Sequence, residues 1–243
     1  MKRILACLLL IAACGLTLPP RVFASHPAPP LGFYYKFDMG ASLLDDANVE
    51  SLFGPVAPDT TMEFDTGFRL GLEMGYQVTP WFSGEFEIAT AWNRVKSISG
   101  AYQDDADLGM LPMFLNARFQ LPEDKFWIVP FAGAGVGGVA TWLTIDDIQY
   151  GARSLWGDAS GMAFGWQAFA GVRFYVSEKV SVNLEYRYLY VFEPEMEIDY
   201  GYYWNISSDE TALGDLKSHN LSLAVEFVAC PWLLTLFFHS HTL

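Results

Sequence analysis

Basic residues are scarce in this chain: 14 Lys and Arg stand against 28 Asp and Glu, for a formal net charge of −14. Nucleic acid is excluded as a partner, because phosphate binding needs a basic surface. Cysteine is scarcer still. Cys7 and Cys14 lie near the N-terminus and Cys230 near the C-terminus, with none between. That pattern leaves no redox pair and no Cys/His zinc spacing, and no glycine-rich phosphate loop follows a strand. No cofactor is implied. Long apolar runs are missing beyond the first residues, which excludes membrane helices of about 20 apolar residues. Yet 52% of the residues are hydrophobic and 16% aromatic. A chain this oily without helical spans suits a barrel whose outer face alone meets lipid.

Residues 1–24 read as a secretory signal peptide. Lys2 and Arg3 form the positive region, Ile4 to Leu18 the apolar stretch, and Val22-Phe23-Ala24 the cleavage site. Ile11-Ala12-Ala13-Cys14 offers a rival site, since it resembles a lipobox with Cys14 lipidated. Cleavage after Ala24 removes Lys2, Arg3 and Arg21 and leaves the remainder at −17. Residues 25–31, rich in proline, form a linker.

From there, period-two alternation recurs in segments of about ten residues, the signature of membrane strands. In Val180 to Phe192, the residues Val180, Val182, Leu184, Tyr186, Tyr188, Tyr190 and Phe192 share one face. Ser181, Asn183, Glu185 and Arg187 share the other. Phe164 to Val176, Phe68 to Val78, Phe82 to Asn93, Leu111 to Gln120, Trp127 to Thr141, Phe33 to Leu43 and Ser218 to Phe227 follow the same plan. Three short connections (Thr79–Trp81, Pro122–Lys125, Ser177–Lys179) alternate with four long ones (Leu44–Asp65, Val95–Asp107, Trp142–Gly161, Glu193–Lys217). Short periplasmic turns and long outer loops are expected of an all-β, eight-stranded antiparallel up-and-down transmembrane barrel over residues 32–227. Trp81, Trp92, Trp127 and Trp142 fall near strand ends, where aromatic girdles belong. A soluble barrel with the same faces would expose one very large apolar patch to water.

The polar face collects five bases, Lys36, Arg69, Arg118, Arg173 and Arg187, and six acids, Asp38, Glu73, Glu85, Glu87, Glu185 and Glu226. Charges inside a narrow barrel must pair, and eight strands enclose only enough room for their side chains. A salt-bridged plug is expected, with a narrow ion or solute path as the alternative. The long connections are acidic, through Asp45, Asp46, Glu50, Asp104, Asp105, Asp107, Asp146, Asp147, Asp158, Glu193, Glu195, Glu197 and Asp199. No spacing among them matches an EF-hand loop. They make an extracellular ligand conceivable and otherwise solvate the barrel rim. Tyr200, Tyr202, Tyr203 and Trp204 stand beside the last of them.

Pro130-Phe131-Ala132-Gly133-Ala134-Gly135-Val136-Gly137, Gly165-Trp166-Gln167-Ala168-Phe169-Ala170-Gly171-Val172-Arg173 and Leu184-Glu185-Tyr186-Arg187-Tyr188 resemble the small OmpA-like and opacity-type outer-membrane β-barrel proteins. The resemblance covers roughly residues 31 to 227. It implies the bacterial outer membrane, outer-membrane lipid and the barrel-assembly machinery as partners, and a role as anchor, antigen, adhesin or narrow pore. Such barrels end on an aromatic assembly signal, and Phe227 holds that place. Here the chain continues through an apolar extension, residues 228–243, in which Pro231 stops the strand. No catalytic residue is carried over. A lipid A-modifying enzyme would need His219 with Ser222 and Glu226, but alternation puts His219 on the oily face and the other two on the polar face.

Overall fold

The computed structural model describes residues 31–228, apart from 53–55, 100–101, 122–127, 151–152, 178 and 203–204. The expected leader, residues 25–30 of the linker, the Pro122–Lys125 turn, Trp127 and residues 229–243 lie outside the described residues. Every regular element among the described residues is a strand. In chain order they are β1 (Gly32–Leu44), β2 (Ala47–Ser51), β3 (Thr61–Phe64), β4 (Gly67–Thr79), β5 (Phe82–Ile98) and β6 (Tyr102–Gln120). β7 (Ile128–Tyr150), β8 (Arg153–Tyr175), β9 (Val180–Val191), β10 (Glu195–Tyr202), β11 (Asn205–Leu213) and β12 (Leu216–Val228) follow.

Twelve strands thus stand where eight were expected. The eight alternating segments are present as β1, β4 to β9 and β12. The correction concerns the four long connections, which are largely strand. Leu44–Asp65 contains β2 and β3, and Glu193–Lys217 contains β10 and β11. Much of Val95–Asp107 and Trp142–Gly161 extends β5, β6, β7 and β8. The physical reason is that alternation does not stop at the membrane edge. Val95, Leu108, Leu143, Ile145 and Ala159 continue the inward face and are buried, while Asp107, Asp146 and Asp158 point to solvent. Each hairpin therefore gains ladder hydrogen bonds and a buried apolar face by growing.

All pairings are antiparallel. β1 pairs with β4 and β12, β4 with β5, β5 with β6, β6 with β7, β7 with β8, β8 with β9, and β9 with β12. Beyond the ends of β4 and β9, β3 pairs with β5, β2 with β3, β11 with β2, β10 with β11, and β10 with β8. The four added strands bridge β5 to β8 above β1, β4, β9 and β12. At about 3.3 Å per residue and a tilt near 40°, the 23 residues of β7 or β8 rise about 58 Å, more than twice an apolar band of about 25 Å.

Two aromatic rows bound that band. In the upper one Phe68 stacks on Trp92 at 5.0 Å, and Trp92 meets Trp142 edge-on at 6.1 Å. Gly109 lies beneath the Trp142 ring, where a Cβ would come within 2.0 Å of it, so only glycine lets the two tryptophans meet. Phe164, Phe192 and Tyr190 carry the row onward. In the lower row Phe33 meets Tyr76 at 4.8 Å, and Trp81 stacks on Phe119 at 6.1 Å. On β5, Phe82 and Trp92 are ten residues apart, about 25 Å of tilted strand. Between the rows the outward side chains are exposed and apolar, among them Leu72, Ile88, Leu115, Val136 and Leu223.

Candidate functional site: the charged interior

Strand alternation directs the polar set inward, and all eleven charged residues named from the sequence are inside, none more than 4% exposed. They form two connected groups. Arg187 organises the first. Its Nη2 donates to Glu73 Oε1 at 3.0 Å, its Nε to Glu185 Oε1 at 3.0 Å, and its Nη1 to Glu87. Lys36 Nζ donates to Glu185 Oε2 at 2.9 Å and lies 2.7 Å from Glu73 Oε2. Arg69 Nε donates to Asp38 Oδ1 at 3.2 Å, and its Nη2 donates to Glu87. Glu87 also accepts from Asn116 Nδ2 at 2.8 Å and Gln167 Nε2 at 2.6 Å.

The second group lies nearer the short turns. Arg118 Nη1 donates to Glu85 Oε1 at 2.9 Å and Glu226 Oε2 at 3.1 Å, and Arg173 Nη2 donates to Glu226 Oε2 at 2.6 Å. The Tyr34 hydroxyl donates to Glu85 Oε1 at 2.5 Å. These links join β1, β4, β5, β6, β8, β9 and β12 across the interior. Dehydrating so many charges is costly, and their mutual pairing offsets it only because several donors converge on each carboxylate.

Two features of this interior are absent from the sequence reading. Aromatic rings stack on the guanidinium groups: Arg118 sits 4.3 Å from the Phe131 ring centre and Arg187 4.8 Å from that of Phe169. The signal available for them was glycine. A Cβ on Gly133 would meet Phe169 Cζ at 2.3 Å, and one on Gly171 would meet Phe131 Cζ at 2.6 Å. The second feature is an apolar storey above the charges. Met62, Val95, Leu108, Met110, Phe114, Val139, Leu143, Ile145, Met196 and Leu213 form one buried cluster.

Outside, the extension carries exposed Asp45, Asp46, Glu50, Asp107, Asp146, Asp158, Glu193, Glu195 and Glu197. Cross-strand register sets Asp158 opposite Asp199 and Glu197 opposite Glu210. Lys96 donates to Glu63 Oε2 at 2.7 Å, and this bond, aided by the ammonium charge, holds the Glu63 carboxyl below its usual range. The sequence-named His219 faces outward. Its Nδ1 is 2.6 Å from the Tyr186 hydroxyl and its Nε2 3.5 Å from Asp45 Oδ2, whereas Ser222 and Glu226 are buried inside. The three do not converge. Phe227 is 49% exposed one residue before the end of β12, paired with Tyr35 on β1 and Val180 on β9. The side chains of Asp104, Asp147, Tyr200 and Tyr202, together with Tyr203 and Trp204, lie outside the described residues.

Solved structures share this architecture. OprG from Pseudomonas aeruginosa superposes with a TM-score of 0.56 at 16% identity, over 83% of this chain and 99% of its own. A major outer membrane protein from Thermus thermophilus gives 0.51 at 9% identity, over 80% of this chain and 99% of that one. The outer membrane protease OmpT from Escherichia coli gives 0.50 at 7% identity, over 83% and 99%. At such identities the likeness is one of fold. No curated protein matches the sequence. Residues 6–227 match the family described as outer membrane protein beta-barrel domain. The chain belongs to that family, an antiparallel β-barrel protein of the bacterial outer membrane.

Proposed function

We propose that this protein is a non-conducting surface barrel. In this reading β1, β4 to β9 and β12 make an eight-stranded up-and-down membrane barrel, whose pairings run from β1 back to β1. The observation that carries it is the filled interior: a ring of paired charges topped by the apolar cluster around Leu108, Leu143 and Met62. A hydrated ion would have to break charge pairs below and then enter a hydrocarbon layer above, and each step is costly. The barrel serves as an anchor, and the projecting extension with its acidic outer face is the part available to an extracellular ligand. Outer-membrane lipid covers the apolar band, and the assembly machinery reads Phe227. The reading carries no enzymatic role: the one set weighed for lipid A chemistry does not converge, with His219 facing outward and Ser222 and Glu226 buried inside.

A narrow pore is the second reading. It is favoured by buried polar atoms in the lower interior that have no hydrogen-bond partner among the described residues, Arg118 Nε and Nη2, Glu85 Oε2 and Ser222 Oγ. Water is their natural partner. Under the leading reading that water stops at the apolar storey. Ion leak from vesicles holding the refolded protein separates the two. Leak at the level of empty vesicles is expected, and leak that scales with protein content would favour the pore.

A further inference from the structure

Between the two aromatic rows the outward face is free of ionisable side chains on all but one membrane strand. Among the described residues it carries one histidine, His219 on β12, and no lysine, arginine, aspartate or glutamate. The His219 side chain is 38% exposed. Eight residues separate it from Phe227, about 20 Å of tilted strand, which sets it about 5 Å inside the upper edge of the apolar band. An ionisable ring facing hydrocarbon is costly, so His219 marks a place where a polar group covers the wall.

Register builds three rows around it. Ala41, Leu221 and Tyr186 lie side by side, and above them Leu43, His219 and Tyr188. In the top row the Asp45 N–H donates to the Lys217 carbonyl at 2.8 Å, and Lys217 pairs with Tyr190. The Tyr186 hydroxyl is 2.6 Å from His219 Nδ1, and the Tyr188 ring centre lies 5.1 Å from that of His219. With Tyr186 donating to Nδ1, the imidazole presents its own N–H at Nε2, on the side of Asp45.

Two opposite charges stand unpaired at the top of this column. Asp45 and Lys217 are neighbours across the β1–β12 ladder, where opposite charges ordinarily attract. Instead, Asp45 Oδ2 lies 3.5 Å from His219 Nε2, too long for a good hydrogen bond, and Lys217 Nζ sits 5.9 Å from the Tyr190 ring centre. Among the described residues neither charge has a salt bridge to the other. Asp215, also on this rim, is already engaged by the Tyr190 hydroxyl and by the Glu193 N–H at 3.3 Å. A carboxylate and an ammonium left open side by side match a ligand that carries both signs.

We propose that the upper rim of β9, β12 and β1 binds one zwitterionic lipid headgroup, a phosphoethanolamine, from the outer leaflet. Its primary ammonium donates to Asp45. Its phosphate oxygens accept from Lys217 Nζ and from His219 Nε2, charge-assisted bonds of the stronger kind. The headgroup covers the imidazole, and its chains run down over Leu221 and the exposed Leu223. A purely anionic headgroup is disfavoured, because exposed Asp45, Asp46 and Glu193 repel a phosphate that brings no cation with it.

Native mass spectrometry of the refolded protein in detergent tests this, with dioleoyl phosphatidylethanolamine, phosphatidylcholine and phosphatidylglycerol supplied in equal amounts. Retention of phosphatidylethanolamine is expected at about tenfold over phosphatidylcholine, whose ammonium has no N–H, and over phosphatidylglycerol, which has no cation. Asp45→Asn and Lys217→Gln should each remove the preference, and Tyr186→Phe should weaken it. Asp107→Asn, at an exposed carboxylate on β6, should leave it unchanged. Heat-modifiable gel mobility checks that each variant is folded. Equal retention of the three lipids by the wild type overturns the proposal. So does a preference that survives both Asp45→Asn and Lys217→Gln, or one lost equally in Asp107→Asn. Free phosphoethanolamine in excess should leave the bound lipid in place, and displacement would overturn the lipid as the ligand. The site rests on the surface-barrel reading but fails separately: a leaky barrel that keeps the preference removes the plug alone, and a silent barrel without it removes the headgroup site alone.

Discussion

At the scale of single residues, the interior is stable because each charge has several partners, so removing one strands the others. Glu87 is the sharpest case, since Arg69 and Arg187 both converge on it. Glu87→Ala is expected to cost about 3–5 kcal/mol in reversible urea unfolding. Glycine positions divide in the same way. A Cβ on Gly135 would lie 1.9 Å from Asn116 Oδ1 and 2.8 Å from the Leu115 carbonyl oxygen, whereas one on Gly84 meets nothing within 4 Å. Gly135→Val should destabilise by about 1–3 kcal/mol, with Gly84→Ala close to neutral in the same assay. The charged residues were legible in the sequence because strand alternation alone sends them inward. Their partners were not: Arg187 reaches Glu73 and Glu87 across the interior, over 114 and 100 residues of chain. Alternation assigns a face and says nothing of what stands opposite.

At the scale of elements, the same strand serves two solvents. The outward face of β4 meets lipid with Leu70, Leu72 and Met74, and its inward face carries Arg69 and Glu73. Leu72 is 52% exposed near the middle of the apolar band. Leu72→Arg is expected to cost about 2–4 kcal/mol in vesicles, and Asp158→Lys, well above the band, close to nothing. A similar loss from both would place the band elsewhere. The membrane segments were legible because each repeats a ten-residue oily stripe. β2, β3, β10 and β11 were not, because Glu50, Glu63, Glu195 and Glu197 interrupt any oily outer stripe on the first three, and the inner residues of the four, Val49, Met62, Met196 and Leu213, are too few per strand to read as a pattern. Only when the four stand side by side with β5 and β8 do those residues become one buried cluster.

At the scale of the whole molecule, charge and oil are stacked along one axis. The paired charges lie within the band, the apolar storey closes the interior above them, and the acidic surface projects beyond the upper aromatic row. Truncating the storey should open the top without dissolving the anchor. Met62→Ala, at a fully buried site on a short added strand, is expected to raise amide exchange in β2, β3 and β11 while β1, β4 and β12 stay protected. Family membership fits this division, since the matched barrel fold recurs in proteins as different as OprG and OmpT. What varies on a shared barrel is the filling and the projecting part.

The most direct measurement is single-channel conductance of the refolded protein in planar bilayers, with heat-modifiable gel mobility checked on the same sample. A folded barrel that shows no discrete openings is the expected result. Steady, discrete openings from a sample shown to be folded would contradict the plugged interior and make its charges the lining of a pore.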